Sequence, residues 1–207
     1  MFKSKLLNFL LIAYAIECIA LSFHPVDRAD WFAENLTVWL IVGTIVILAL
    51  RGVIFSNLAY CLMFVLVFLH TIGGHYTFAL VPFDFVTNTF GFHRNHFDRM
   101  AHFTVGFYAF AIAEWLDRRK LVANRFILFT YPIAIIGCIA ALYEILEWIY
   151  AVSSDPNAGD AFLGSQGDIW DAQEDMLSDI LGAITATVFY FLVRKPFSSR
   201  MDFNGMR

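Results

Sequence analysis

Long apolar runs separated by short polar stretches dominate the chain. Windows of roughly 20 residues, the length a helix needs to cross about 30 Å of hydrocarbon, fall at 6–23, 31–50, 52–69, 100–116, 126–146 and 176–193. The pattern predicts an all-α, polytopic membrane protein: one transmembrane domain over 1–207, a bundle of six transmembrane helices with both termini cytoplasmic. The second window is the weakest, because Glu34 and Asn35 confine its fully apolar part to Leu36 through Leu50, although Trp31 and Trp39 suit a membrane interface. Pro, Gly and Asp gather in the connections, and no repeat or low-complexity tract separates the windows.

Composition agrees with this pattern. Hydrophobic residues make up 59% of the 207 and charged ones only 15%, well below the ~25% of an ordinary soluble domain. Six spans leave no room for a soluble domain of normal size. A net charge of -4 with scattered Lys and Arg offers no basic patch with interleaved aromatics, so nucleic acid is excluded as a partner. Membrane lipids are the expected neighbours, and the sequence identifies no protein partner. Cys18, Cys61 and Cys138 all lie within apolar runs without CxxC spacing and read as small hydrophobes. Lys3 and Lys5 before an apolar run imitate a secretory signal. Glu17 interrupts that run and no A-x-A site follows, so the segment is expected to stay attached as the first span.

Charge also orients the spans. Eleven of the fourteen basic residues fall at the N-terminus, the 2–3 and 4–5 connections and the C-terminus. Only Arg28, Arg94 and Arg99 fall on the other side, and the positive-inside rule therefore places both termini in the cytoplasm. Acids show the opposite bias: apart from Glu114, Asp117 and Asp202 they lie in outer connections or inside spans, and all six His fall at outer ends. Outer loops tolerate acids, which accounts for Asp27, Asp30, Glu34, Asp84, Asp155 and Asp160. Acids within the spans need another explanation, because an ionisable group in hydrocarbon is costly unless it faces the bundle and finds partners.

Helical spacing assembles those groups. Asp98, His102, Gly106, Ala109 and Ala113 form one stripe, polar at the outer end and small below it; Asp171, Asp175, Asp179, Gly182 and Ala186 form another. The fifth span contributes Gly137, Ala140, Ala141, Glu144 and Glu147. Counting about 1.5 Å per residue puts His70, His102, Glu144 and Asp179 in one outer layer, with Glu17 deeper, as a floor or a separate proton carrier. Imidazole and carboxylate together suit a divalent metal such as zinc, iron or manganese, and His70, His75, Asp98, His102, Glu144 and Asp175 are the candidate ligands. Glu147 and Asp179 are candidate catalytic carboxylates. Arg94 and Arg99 are candidates for neutralising the acids or clamping an anionic headgroup.

Lesser features read plainly. Glu114 with Arg118 is a helix pair at the cytoplasmic rim. Asp155, Asn157 and Asp160 hint at a calcium loop, but Gln166 stands where the bidentate Glu belongs. The connection from Thr71 to Phe97 is too long and aromatic for a turn, and is expected in the interface or dipping back over the site, with Gly73 and Gly74 allowing the bend.

Four stretches carry a family resemblance: HTIGGHYTF at His70 to Phe78, FDRMAHF at Phe97 to Phe103, YEILEW at Tyr143 to Trp148 and LGSQGDIWDAQEDM at Leu163 to Met176. In this order they resemble the YjdF family of bacterial inner-membrane proteins, a domain of unknown function. The resemblance implies an inner-membrane location and supplies no reaction. A fainter similarity links the chain to the VanZ-like proteins, associated with glycopeptide-antibiotic resistance, whose pattern has Asp, a base and His opening one helix and D-x3-N-x2-G on a later one. Asp98, Arg99 and His102 match the first part; Asp175, Asp179 and Gly182 match the second, with Asp179 in the usual Asn position.

Three functions fit this reading. One is an outer-leaflet metal-dependent enzyme acting on lipid or cell-envelope material, with Glu147 moving the proton. The second is a proton- or cation-coupled transporter using Glu17, Glu144 and Asp179 as a relay, which lacks paired broken helices or an inverted repeat. The third is a membrane scaffold whose polar layer only specifies packing.

Overall fold

Helix starts are set by short polar caps. Ser4, Asp27 and Ser56 sit in extended backbone, and their side chains accept hydrogen bonds from the amides of Leu7, Ala29 with Asp30, and Ala59 respectively. In a computed structural model, which describes residues 2, 4–153, 163 and 165–194, these caps open α1 (Lys5–Leu21), α2 (Arg28–Leu50) and α3 (Asn57–His75). The remaining helices are α4 (Asp84–Phe90), α5 (Phe97–Val105), α6 (Tyr108–Arg118), α7 (Arg125–Ser153) and α8 (Asp171–Val193). Among the described residues there is no β-strand. The hinted calcium ligands Asp155, Asn157 and Asp160 lie outside the described residues.

Four helices, α2, α3, α7 and α8, are long and apolar enough to cross a membrane. α1 has 17 residues, roughly 25 Å of rise, and turns Phe9, Ile12, Ile16 and Ile19 outward. The window expected at 100–116 is two helices, α5 and α6. At the joint the backbone stays helical but tightens: Phe107 N–H bonds Thr104 O, Ala109 N–H bonds Gly106 O and Phe110 N–H bonds Phe107 O, a short 3₁₀ turn. The third helix begins five residues later than its window, at Asn57, because residues 53–56 form a non-helical entry ending in the Ser56 cap.

α3 packs against α1, α2, α5 and α6, and α8 packs against α5, α6 and α7. At one end of the bundle His75 O accepts from Val26 N–H at 3.0 Å, and His75 Nδ1 meets Leu21 O at 2.7 Å, tying the C-terminal ends of α1 and α3 to the approach to α2. At the opposite end Glu114, 2% exposed, accepts from Ser56 N–H (2.7 Å) and Arg118 (3.1 Å), with Arg194 at 3.6 Å. Tyr190 Oη donates to Asp117 nearby at 2.5 Å. Between the two ends runs an apolar core around Tyr60, Phe64, Phe110 and Tyr190.

Glycine permits one backbone-to-backbone crossing. A Cβ on Gly106 would overlap Ala183 N and Gly182 C, and one on Gly182 would overlap Phe103 O. The crossing locks the α5–α6 joint onto the middle of α8. Everything on the next turn outward from it is therefore held at short range.

Candidate functional site

That next turn carries His102 on α5 and Asp179 on α8. His102 Nδ1 lies 3.2 Å from Asp179 Oδ2. The ring's other nitrogen, Nε2, faces Asp98 Oδ1 at 3.7 Å and Asp175 Oδ1 at 3.8 Å. Asp98, His102 and Asp175 can each turn one ligand atom into a group whose members all lie within 4.8 Å of one another. Asp175 and Asp179 are 3% and 1% exposed, so neither is satisfied by bulk water.

A second pair faces this group across a cavity of about 90 Å³. Glu34 on α2 meets His70 Nε2 on α3 at 3.0 Å, and Tyr143 Oη on α7 reaches Glu34 Oε2 at 3.4 Å. Glu147 also lines the cavity, with Asp98, His102 and Asp179 on the opposite wall. Glu144 is within electrostatic range of His102, Asp175, Asp98 and Asp179 but is not on the cavity wall. The loop after α3 folds back as a roof. Phe78, held in left-handed backbone at φ 51°, lies edge-on to the His70 ring with centroids 5.1 Å apart. Gly73 leaves room for the Phe78 ring, which a side chain there would overlap.

Above the cavity lies an ion-pair cluster. Arg94 Nη1 bonds Asp171 Oδ1 at 2.7 Å and Asp168 Oδ2 at 3.2 Å. Arg99 bonds Asp171 at 2.7 Å and Glu174 at 3.0 Å, and its Nη1 also pairs with Asp175 Oδ1. Both arginines are thus committed to acids of this chain. Gln166 fixes the neighbouring loop in register by accepting from Asn95 N–H (3.0 Å) and donating to Asn95 O (2.9 Å). Electrostatics follow the charges: the Trp170 amide, opposed by some burial and aided by Arg94 and Arg99, holds the Asp168 carboxyl below its ordinary range. Burial, then the same two arginines, pushes the His96 imidazole down from its ordinary range.

Of the residues singled out from sequence, Asp98, His102, Asp175 and Asp179 come together, and His70 and Glu147 face them across the cavity. His75 does not join them; it serves the corner between α1 and α3. Glu17 on α1 is not on the cavity wall, and α1 contributes nothing to that wall. Glu34 and Tyr143, both on the wall, are not among the candidates the sequence singles out. Glu34 reads as an ordinary outer-loop acid because it interrupts its apolar run. Its 3–4 spacing with the buried Trp31, Val38 and Ile45 marks it as inward-facing. Tyr143 sits one residue before Glu144 and carries no charge to flag it.

Apolar helices around a polar interior at one end of the bundle define a multi-pass membrane protein, and the comparisons specify which kind. The chain belongs to the family described as predicted membrane protein DUF2238, which it matches over residues 6–196. It is 33% identical over 189 residues to inner membrane protein YjdF of Escherichia coli (strain K12), covering 90% of each chain. Its place is accordingly the bacterial inner membrane, crossed several times. No solved structure matches it.

Proposed function

We propose that this is a six-span membrane protein with both termini cytoplasmic, whose outer cavity holds a divalent metal, zinc, iron or manganese, and acts as an enzyme on lipid or cell-envelope material. One observation carries the metal: the 3.7 and 3.8 Å gaps from His102 Nε2 to Asp98 and Asp175. They exceed hydrogen-bond length. They approach the roughly 3.4 Å separation of ligands bound at about 2.1 Å around a tetrahedral ion.

The surrounding residues fit that use. With the Nδ1 hydrogen directed at Asp179, 3.2 Å away, the Nε2 lone pair of His102 would face the two carboxylates, the carboxylate–imidazole arrangement that supports metal ligands. A bound metal would supply Lewis acidity and an activated water. Glu147, on the cavity wall, would move the proton. Arg94 and Arg99 offset the acids rather than bind substrate. Six spans follow if α1 crosses and if α5 and α6, joined by their 3₁₀ turn, cross as one rod; the basic residues then collect on the cytoplasmic side.

One contact favours a second reading. Arg99 Nη1 already pairs with Asp175 Oδ1, so the cluster can also be a buried ion-pair network that pins α5 to α8. Elemental analysis of mildly purified protein separates the two. The enzyme reading expects a stoichiometric divalent metal, lost in His102→Ala and bound roughly 10–100-fold more weakly in Asp179→Asn. Folded protein that neither contains nor takes up zinc, iron or manganese overturns it. Reporter fusions after residue 194 test the topology, with a cytoplasmic signal expected.

A further inference from the structure

Beneath the outer cavity, the space between α2, α3, α6 and α7 continues as a groove of about 640 Å³. Thr37, Ile41, Leu66, Val105 and Ile139 line both, so the polar cavity is the groove's upper end. From Thr37 to Leu48 along α2 the groove runs about 16 Å, the length of about a dozen methylenes. Its walls are almost wholly apolar, and two polar groups on them are already satisfied: Thr44 Oγ1 donates to Leu40 O at 2.8 Å, and Tyr108 Oη donates to Met63 O at 3.0 Å. α2 and α7 flank the groove without packing against each other along their length, and Leu40 and Tyr131 on its two rims are exposed. The opening therefore faces lipid at hydrocarbon depth.

We propose that this groove takes one alkyl chain of an outer-leaflet glycerophospholipid, entering sideways between α2 and α7, with its ester end at the cavity beside His102 and its phosphate kept outside the carboxylate lining. Walls this poor in polar groups hold water weakly, and an empty groove would forfeit dispersion contacts that a chain restores. The polar end is fixed by what each mouth offers. Arg118 at the cytoplasmic mouth is already bound to Glu114 and to Ile54 O, whereas the upper mouth opens into the His and carboxylate cavity. Length favours the acyl chain as well, since it fits most of itself into the groove, whereas a polyprenyl carrier, several times longer, would leave most of its length outside. The Tyr143–Glu34 bond, at 3.4 Å, bridges α2 and α7 at the upper end and must yield to admit the ester end. The inference deepens the proposed enzyme and rests on it only for what happens at the lipid's head.

The test uses the full chain in nanodiscs of phosphatidylethanolamine and phosphatidylglycerol, doped with phospholipid carrying a photoreactive diazirine either at the chain terminus or beside the ester. The terminal probe is expected to label residues around Phe55 and Trp115, and the ester-side probe residues around Ile139 to Tyr143. Thr44→Trp at the exposed rim and Ala111→Phe inside the groove should each cut labelling at least tenfold, while Ile16→Trp on the lipid-facing side of α1 leaves it unchanged. Labelling spread evenly over α1 and insensitive to these variants overturns the proposal in favour of ordinary boundary lipid. A reversed order of the two probes, or preferential capture of a polyprenyl phosphate added in competition, overturns it too. Metal is measured in the same samples: groove labelling without metal sinks the metal reading alone, and metal without groove labelling sinks this one alone.

Discussion

Gly182→Ala is a one-methyl change with a calculable cost. The new Cβ would overlap Phe103 O and lie 3.2 Å from Gly106 Cα, so backbone rather than a flexible side chain must give way. Overpacking of this kind costs about 1–3 kcal/mol, offset by roughly 0.5–1 kcal/mol from replacing a helical glycine. A clash with a backbone oxygen belongs at the upper end of that range, so the net loss is about 2 kcal/mol and should lower the melting temperature by about 4–8 °C for a chain of this length. The geometric effect is larger than the energetic one. His102 lies one turn outward from Gly106 and Asp179 one turn outward from Gly182, so parting α5 from α8 by about 1 Å carries their 3.2 Å contact beyond hydrogen-bond range. Differential scanning fluorimetry and metal analysis on the purified variant read the two effects separately. Gly43→Ala is the control, because nothing lies within 4 Å of its added Cβ, and it should be neutral or slightly stabilising. A Gly182→Ala protein that melts within about 1 °C of wild type and keeps its metal would refute both the crossing and the dependence of the site on it.

Other expectations concern the two ends of the bundle. Glu114→Gln removes the charge facing the exposed Arg118 and Arg194 and should cost about 1–2 kcal/mol, read by thermal unfolding, with the outer site's metal content unchanged. Arg99→Lys keeps the charge but cannot span Asp171, Glu174 and Asp175 at once, so protection of the α8 start against hydrogen exchange should fall. Asp168 has its folded value depressed by the Trp170 amide and then by Arg94 and Arg99; its contribution is complete above the ordinary aspartate value of 3.8 and is lost as pH falls through the lower folded value. The protection factor of amides 165–171, exchange corrected for the intrinsic pH dependence, should therefore stay constant down to about pH 4 and fall only below it. A fall in protection between pH 7 and 5 would contradict that assignment.

Much of the architecture was legible in the chain because the physics of lipid is severe. Apolar runs had to be helices, and ionisable groups within them had to face inward; the 3–4 spacing of Asp98 with His102 and of Asp175 with Asp179 placed four site residues on facing stripes. The small residues Gly106 and Gly182 on the same stripes marked where those helices touch. What the sequence hid was nonlocal. Glu34 looked like an end of apolar character, and only its pairing with His70 makes it part of the interior. His75, one helical turn and a residue beyond His70, looked equivalent to it but falls on the face turned to Leu21. The 3₁₀ joint at Gly106 left no break in hydropathy, since Gly and Phe are both at home in a span. Arg94 and Arg99 were visible as rare outer bases, but their choice of acids depends on how the start of α8 docks.

Helix length varies widely around the bundle. α1 rises roughly 25 Å, α8 roughly 34 Å and α7, with 29 residues, roughly 43 Å. In the proposed six-span topology, where α1 crosses, leaflets beside α1 thin while those beside α7 are stretched or met by a tilted rod, at fractions of a kcal/mol per ångström of mismatch. On that topology the molecule imposes a gradient of thickness on the lipids around it and settles where the host bilayer needs least deformation.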